Sequence, residues 1–320
     1  MKKKINFAIV GSNFGIKGYL PVIQKNSNFK IAALSSRNIG NYKLDDNIKI
    51  NLETNWKEIF NKKIDIIISA VPPKVQEQIL LYNLKFKKRI ICEKPITCNY
   101  LKSKKIVQLY KKNNIKADIN LTFVNHPYFL LLKKIIDSKI YGNVLNYSVR
   151  WSFVSRDYNL KKKTWKVQAK LGGGITNIFL THVFSYCELL FGKNILSKTI
   201  TEKDNFKKIR FIRYFETCVK NKNNISGRIV LKTKRTGNQR HELRIKFDKS
   251  LIIIKNNSKD WSKNFHMKIN GKKVKIKDKN NYIDGRSNQI EVLTKNFIRK
   301  KSYKNLDLCL NAEKLIHRIK

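Results

Sequence analysis

The sequence predicts an α/β chain in which a doubly wound parallel sheet is followed by an α+β domain with a largely antiparallel open sheet. Three observations carry this. The 320 residues are enough for about two domains at roughly 150 residues each. Short apolar runs alternate with helical patterns over the first third, the signature of βαβ units. Beyond Pro127 the strands come grouped together after a helix, which is the habit of an α+β domain.

Ile5 to Val10 is a buried strand, Gly11 to Gly15 a glycine-bearing turn, and Ile16 to Lys25 has helical spacing. Phe29 to Ser35 is a second strand, Asn55 to Phe60 a short helix, and Ile64 to Val71 a continuous apolar strand ended by Pro72 and Pro73, since proline cannot extend a central strand. A helix over Val75 to Leu84, a strand Arg89 to Cys92, a helix Leu101 to Asn113 and a strand Lys116 to Phe123 complete the series. This is the order of a doubly wound nucleotide-binding domain, expected over 1–123, with a second domain over 124–320.

In that second part a helix is expected over Tyr128 to Ser138, a tight turn at Tyr141 to Asn143, a strand Val144 to Val154, and a helix from the Gly172 to Gly174 loop to Leu190. Strands follow at Lys208 to Phe215, Ile225 to Lys234, His241 to Phe247, Ser250 to Lys255 and Phe265 to Asn270. Helices Ser287 to Lys300 and Leu306 to Ile319 close the chain.

Composition narrows the function classes. A hydrophobic fraction of 42% with 11% aromatics belongs to a folded globular chain. The 69 Lys+Arg against 22 Asp+Glu give a net charge of +47, which alone would invite nucleic acid or another polyanion. Lysine is enriched together with asparagine and isoleucine along the whole chain, however. The short clusters Lys2 to Lys4, Lys161 to Lys163 and Arg299 to Lys301 are scattered, whereas a nucleic-acid binder concentrates its cations on one face or arm. Five cysteines without a C-x-x-C pair point to a reducing compartment, and the cytoplasm is the expected location. No apolar run approaches a membrane span, and no His/Cys/Asp/Glu spacing reads as a metal site.

The turn Gly11-Ser12-Asn13-Phe14-Gly15 follows the first strand, where helix N–H groups receive a pyrophosphate. A strict G-x-G-x-x-G fails, since Asn13 and Ile16 take the second and third glycine positions; asparagine tolerates left-handed backbone angles, which would preserve the turn. The second strand ends Ser35-Ser36-Arg37 in place of the acidic residue that holds a ribose 2′-hydroxyl. Hydroxyls and a guanidinium suit a 2′-phosphate, so NADP is expected ahead of NAD.

Gly11 to Ile23, Ala70-Val71-Pro72-Pro73, Cys92-Glu93-Lys94-Pro95, Thr164-Trp165-Lys166, and Gly172-Gly173-Gly174 with His182 and Gly192 together resemble the glucose-fructose oxidoreductase, inositol dehydrogenase and MocA family. Their order and spacing match over essentially the whole chain. The resemblance implies a Rossmann domain that binds NAD(P), and a second α/β domain that binds a sugar or cyclitol and forms a dimer or higher homo-oligomer through its open sheet. It implies cofactor contacts at Val71, Pro72, Gln76, Glu93, Lys94 and Pro95. Lys94 would hold a substrate oxygen and stabilise an alkoxide, with Pro95 setting the loop through a cis bond. His182 would exchange the carbinol proton. Trp165, Lys166 and Asn177 would line the substrate side, and phosphorylated or nucleotide-linked sugars would be steered by the lysine excess.

One departure bears on mechanism. Many catalytic members carry an aspartate four residues before the histidine, and Ile178 stands there. Gln76 likewise stands where histidine is frequent. The expected activity is hydride transfer between nicotinamide and a carbinol or keto carbon of a sugar; the alternative is a catalytically impaired member serving as a nucleotide- or sugar-binding sensor or scaffold.

Overall fold

Runs of consecutive isoleucine, valine and leucine build the first sheet, because strands covered on both faces have no polar side to offer water. β1 (Ile5–Val10), β2 (Phe29–Ser35), β3 (Asn51–Glu53), β4 (Ile66–Ser69), β5 (Arg89–Glu93) and β6 (Ala117–Asn120) all run parallel, in the order β3-β2-β1-β4-β5-β6. Every residue of β4 and β6 is buried. The order reverses at β1, between β2 and β4, and open α/β sheets bind ligands at the carboxyl ends of such a switch point.

The computed structural model describes residues 4–37, 50–154, 157, 162, 164–206, 209–221, 224–234, 239–276, 282–300 and 302–319. Lys2, Lys3, Lys161, Lys163 and Lys301 of the basic clusters, and Lys208 at the start of one expected strand, lie outside the described residues. The chain divides into one unit of Met1–Asn120 with Asn281–Leu310, and another of Leu121–Asn280 with Asn311–Lys320.

In the first unit a π turn, Gly15–Tyr19, runs into α1 (Leu20–Gln24). α2 (Pro73–Phe86) begins on a proline, whose missing N–H has no helical partner at that position anyway, and ends at left-handed Lys87. α3 (Tyr100–Lys112) is capped by Asn99, which accepts the Leu101 N–H at 2.8 Å.

The second unit opens with α4 (Pro127–Ser138), capped by His126. β7 (Val144–Val154) and α5 (Thr181–Phe191) follow, the latter entered through a second π turn at Thr176–Leu180. Then come β8 (Asn194–Phe206), β9 (Ile209–Asn221), β10 (Ser226–Lys234), β11 (Arg240–Phe247), β12 (Leu251–Asn256), β13 (His266–Ile269) and β14 (Lys272–Val274). They form a sheet in the order β14-β13-β12-β11-β7-β10-β9-β8, with β7 and β10 parallel and every other pair antiparallel. Alternating burial along β11 and β12 turns one face to a core of Tyr147, Trp151, Phe184, Phe191 and their neighbours.

The last two helices are α6 (Arg286–Arg299) and α7 (Lys304–Ile319). Ile290, Leu293 and Phe297 of α6 pack with Phe7, Ile9 and Leu34 of β1 and β2. The expected division, 1–123 against 124–320, therefore differs from the observed one: the first unit ends at Asn120 and recovers Asn281–Leu310, because the apolar stripe of α6 has its partner surface on the parallel sheet.

Candidate functional site

At the end of β1 the chain must turn at once into a helix. Gly11 does so with φ +111°, and a Cβ there would lie 2.3 Å from the Ala70 carbonyl oxygen and 3.2 Å from Val71 Cγ1; only glycine allows that approach. The Gly11 N–H donates to Ser35 O at 2.8 Å, and Ser36 Oγ donates to Ser12 Oγ at 2.8 Å. The turn after β1 and the end of β2 are thereby tied together. Arg37 follows, exposed to solvent.

Asn13 does not take the left-handed backbone expected of it. It is absent from the residues with positive φ and opens the helical segment in ordinary backbone. The close helix-to-strand approach that a third glycine would allow is made by Gly15, one position early: a Cβ on Gly15 would lie 2.6 Å from Ile9 Cγ2.

The Glu93-Lys94-Pro95 loop leaves the end of β5, and its Lys94–Pro95 bond is cis. Gln76 is expected at the cofactor edge; it is instead buried, 1% exposed, and holds this loop from beneath. Its Nε2 donates to Glu93 O at 2.5 Å, with Pro95 O at 3.0 Å and Ile96 O at 3.1 Å. Its Oε1 accepts the Glu93 N–H at 3.0 Å and the Ser69 hydroxyl at 3.3 Å. The Glu93 carboxylate accepts from Tyr19 Oη at 2.7 Å and Asn120 Nδ2 at 2.9 Å. Burial pushes this carboxyl above its ordinary range, against the opposing pull of the Asn120 and Tyr19 bonds and of the Lys94 and Arg286 charges. Tyr19 and Asn120 escape sequence reasoning, although a polar residue closing the buried strand Ala117–Asn120 is a signal.

This cradle fits a dinucleotide. The first turn has no room for a side chain at Gly11, hydroxyls stand at both strand ends, and Asn120 Oδ1 is a buried acceptor without a partner beside Glu93. Gly11, Ser12, Asn13, Phe14, Gly15, Ser35, Ser36, Arg37, Val71, Pro72, Glu93, Lys94 and Pro95 all lie in the four loops beyond β1, β2, β4 and β5 or at the strand ends that lead into them.

In the second unit Trp165 and Lys166 sit on a short 3₁₀ turn capped by Thr164, whose Oγ1 accepts the Lys166 N–H at 3.2 Å. Gly173 passes so near this turn that a Cβ would lie 2.1 Å from Trp165 O. Asn177 Nδ2 donates to Gly173 O at 2.8 Å, and the Thr181 hydroxyl donates to Asn177 O at 2.8 Å. Trp165, Lys166, the glycine triplet and Asn177 thus form one structure. His182, on α5, is buried with its ring 5.5 Å from Phe123 and 5.9 Å from Trp261. Two further histidines share this aromatic surround. His241 stacks on Trp151 at 4.3 Å and meets Tyr186 Oη at 3.0 Å, while His126 lies 4.9 Å from Phe265. Burial pushes His126 down to about 3, and burial together with the His126 charge does the same to His241.

Residues 5–120 match the model of the oxidoreductase family GFO/IDH/MocA with an NAD-binding Rossmann fold, and residues 129–253 match the GFO/IDH/MocA C-terminal domain. The chain belongs to the GFO/IDH/MocA family. This family member is 27% identical to an oxidoreductase of Formosa agariphila over 183 residues, 54% of this chain and 56% of that protein. It is 26% identical to the levoglucosan dehydrogenase of Pseudarthrobacter phenanthrenivorans over 148 residues, 45% of this chain and 37% of that one. The matches thus span about half, or less, of the length of these curated relatives. The fold is shared with an aldose-aldose oxidoreductase from Caulobacter crescentus (TM-score 0.80, 15% identity, 99% of this chain and 96% of that one). It is also shared with a 3-ketoreductase from Actinomadura kijaniata in complex with NADP and TDP-benzene (TM-score 0.78, 11% identity, 98% and 96%). Among the described residues no helix is long and apolar enough to cross a membrane.

Proposed function

We propose that this GFO/IDH/MocA member is an oxidoreductase that prefers NADP(H) and moves a hydride between nicotinamide and a carbinol or keto carbon of a sugar or sugar derivative. The observation that carries the reading is the Glu93-Lys94-Pro95 loop. It stands at the carboxyl end of β5, held by Gln76 from below and by Tyr19 and Asn120 at the Glu93 carboxylate. A bound nicotinamide supplies or accepts the hydride. Gly11 to Gly15, with Val71 and Pro72, hold its diphosphate and ribose portion, and Ser35, Ser36 and Arg37 take the 2′-phosphate. Lys94 polarises the substrate oxygen and stabilises the alkoxide. His182 gives or takes the proton, and Trp165, Lys166 and Asn177 orient the sugar. Residues 1–120, joined by 281–310, serve the cofactor; the remainder serves the substrate and pairs as a homodimer or higher oligomer through the open sheet.

The names of the similar proteins, a levoglucosan dehydrogenase and an aldose-aldose oxidoreductase, support a sugar. The NADP bound to the Actinomadura protein and the exposed Arg37 beyond two serines support NADP. Ile178, in place of a carboxylate, favours a second reading, a nucleotide- or sugar-binding sensor or scaffold.

Fluorescence titration with NADPH and NADH, followed by a sugar screen with wild type and Lys94→Ala, tests both readings. Saturable binding with NADPH tighter, and turnover abolished by Lys94→Ala, are expected. Binding without turnover on any sugar supports the sensor, and binding of neither nucleotide overturns the oxidoreductase reading and leaves the non-catalytic one.

A further inference from the structure

The helix that returns to the first unit does more than cover apolar surface. Ser287, in its first turn and fully buried, donates to Gly18 O at 2.9 Å, which fixes the start of α6 on the π turn behind the glycine loop. Arg286, the first residue of α6, lies with its guanidinium carbon 4.0 Å from the Phe14 ring centroid. Phe14 belongs to the turn after β1, and its ring covers Gly18, where a Cβ would meet it at 2.4 Å.

Asp284 orients the guanidinium. Arg286 Nε donates to Asp284 Oδ1 at 2.8 Å and Nη2 to Oδ2 at 2.5 Å, a two-pronged fork, and the backbone N–H of Arg286 reaches Asp284 Oδ1 at 3.0 Å. Plane and position are therefore fixed by a carboxylate on one side and an aromatic face on the other. The same charge acts on Glu93. Arg286 thus stands against the turn after β1, on one side of the switch point, and its charge is felt at Glu93 in the loop after β5.

From this placement we infer that Arg286 is a cofactor-binding residue that recognises the diphosphate bridge of the nicotinamide nucleotide, an inference that rests on the dinucleotide reading above. A dinucleotide turn usually reads the pyrophosphate through backbone N–H groups that glycine allows to come close. Asn13 puts a side chain at one of those positions. With Nε and Nη2 directed to Asp284, a phosphate oxygen would be met by the Nη1 edge of the guanidinium, a charged planar donor suited to phosphate, at a helix N-terminus whose dipole has the same sign. The contribution comes from residue 286, more than 270 positions along the chain from Gly11, so no motif around the turn announces it.

The diphosphate is common to NADPH and NADH, whereas the 2′-phosphate is not, and this separates Arg286 from Arg37. Purified full-length wild type, Arg286→Gln and Arg286→Lys are titrated with NADPH, NADH and 2′-AMP, which carries the 2′-phosphate but no diphosphate, and thermal unfolding is recorded for each. Arg286→Gln is expected to weaken NADPH and NADH by the same factor, about 10- to 100-fold for loss of a charge-assisted contact. It should leave 2′-AMP and the melting temperature as in wild type and flatten the salt dependence of NADPH binding. Arg286→Lys, which keeps charge without the fork, should fall between. Undiminished NADPH binding by Arg286→Gln overturns this inference alone, as does equal weakening of all three ligands with a lowered melting temperature, which would make Arg286 a structural clamp on α6. Wild type that binds neither dinucleotide overturns the cofactor reading, and this one with it.

Discussion

Replacing Gln76 by methionine keeps the volume of the side chain and removes its hydrogen bonds, which isolates what those bonds do for the Glu93–Ile96 loop. An amide nitrogen has two hydrogens, so of the carbonyls of Glu93, Pro95 and Ile96 within 2.5 to 3.1 Å two are served at a time. The amide oxygen serves the Glu93 N–H and the Ser69 hydroxyl. Four bonds at a net 1 kcal/mol each come to about 4 kcal/mol, and the Glu93 N–H left without an acceptor keeps the loss near the upper end of roughly 3–5 kcal/mol. That is a large part of the ~5–15 kcal/mol that holds a domain folded. Urea unfolding followed by tryptophan fluorescence measures the loss, and NADPH titration of the still-folded variant reads the loop. We expect the transition midpoint to fall with little change in slope, and NADPH to bind more weakly because Glu93 and Lys94 are no longer held. A loss below about 1 kcal/mol with NADPH affinity intact would refute the reasoning: the loop would then be held by its own backbone.

Arg37→Ala should weaken NADPH by about 10- to 100-fold while leaving NADH nearly unchanged, given the strength of charge-assisted bonds; equal loss on both nucleotides would remove Arg37 from the 2′-phosphate. Gly173→Ala forces a Cβ to 2.1 Å from Trp165 O, so the 3₁₀ turn must shift, and calorimetry should show a loss of about 1–3 kcal/mol, as for overpacked sites. The two units should answer acid in opposite directions. His126 and His241 are lowered from 6.5 to about 3, so below pH 6.5 the unfolded chain takes up protons that the folded second unit refuses. Its stability is full above that pH and falls toward pH 3, by up to ~1.4 kcal/mol per pH unit for each histidine. Asp118, raised by burial from 3.8 to about 7, keeps its proton only when folded, so the first unit gains stability as pH falls from about 7 toward 3.8. Hydrogen exchange at pH 7 and pH 5, corrected for intrinsic rates, checks both signs; parallel trends in the two units would contradict them.

The parallel sheet was legible where its strands carry apolar runs, such as Phe7–Val10 and Ile66–Ile68, followed at once by Gly11 or within a few residues by Pro72 and Pro73. β8 was not: Asn194–Phe206 carries Ser197, Lys198, Thr199, Glu202 and Lys203, since a strand at the edge of a sheet is free to be polar. β3 and β14, three residues each, are too short to show a period. On the first unit, local motifs marked the turn after β1 and the Glu93-Lys94-Pro95 loop, as each works through its own backbone. What braces them was hidden. Tyr19, Gln76 and Asn120 converge on Glu93 from three separate elements, and Arg286 comes from a segment beyond the entire second sheet. Such meetings are made by topology, and a sequence window holds only one partner of each.

The return of Asn281–Leu310 to the first unit has a temporal meaning during synthesis. When Asn120 leaves the ribosome, the face of β1 and β2 that will receive Ile290, Leu293 and Phe297 is still bare. It stays so while the next 160 residues, Leu121–Asn280, are made, about 8–32 s at roughly 5–20 residues per second. The nascent first sheet therefore passes through an interval with uncovered apolar surface, the kind of intermediate that chaperones hold. Moving codons that slow translation into the stretch for Leu121–Asn280 would lengthen that interval and lower the soluble yield, while leaving the finished protein unchanged.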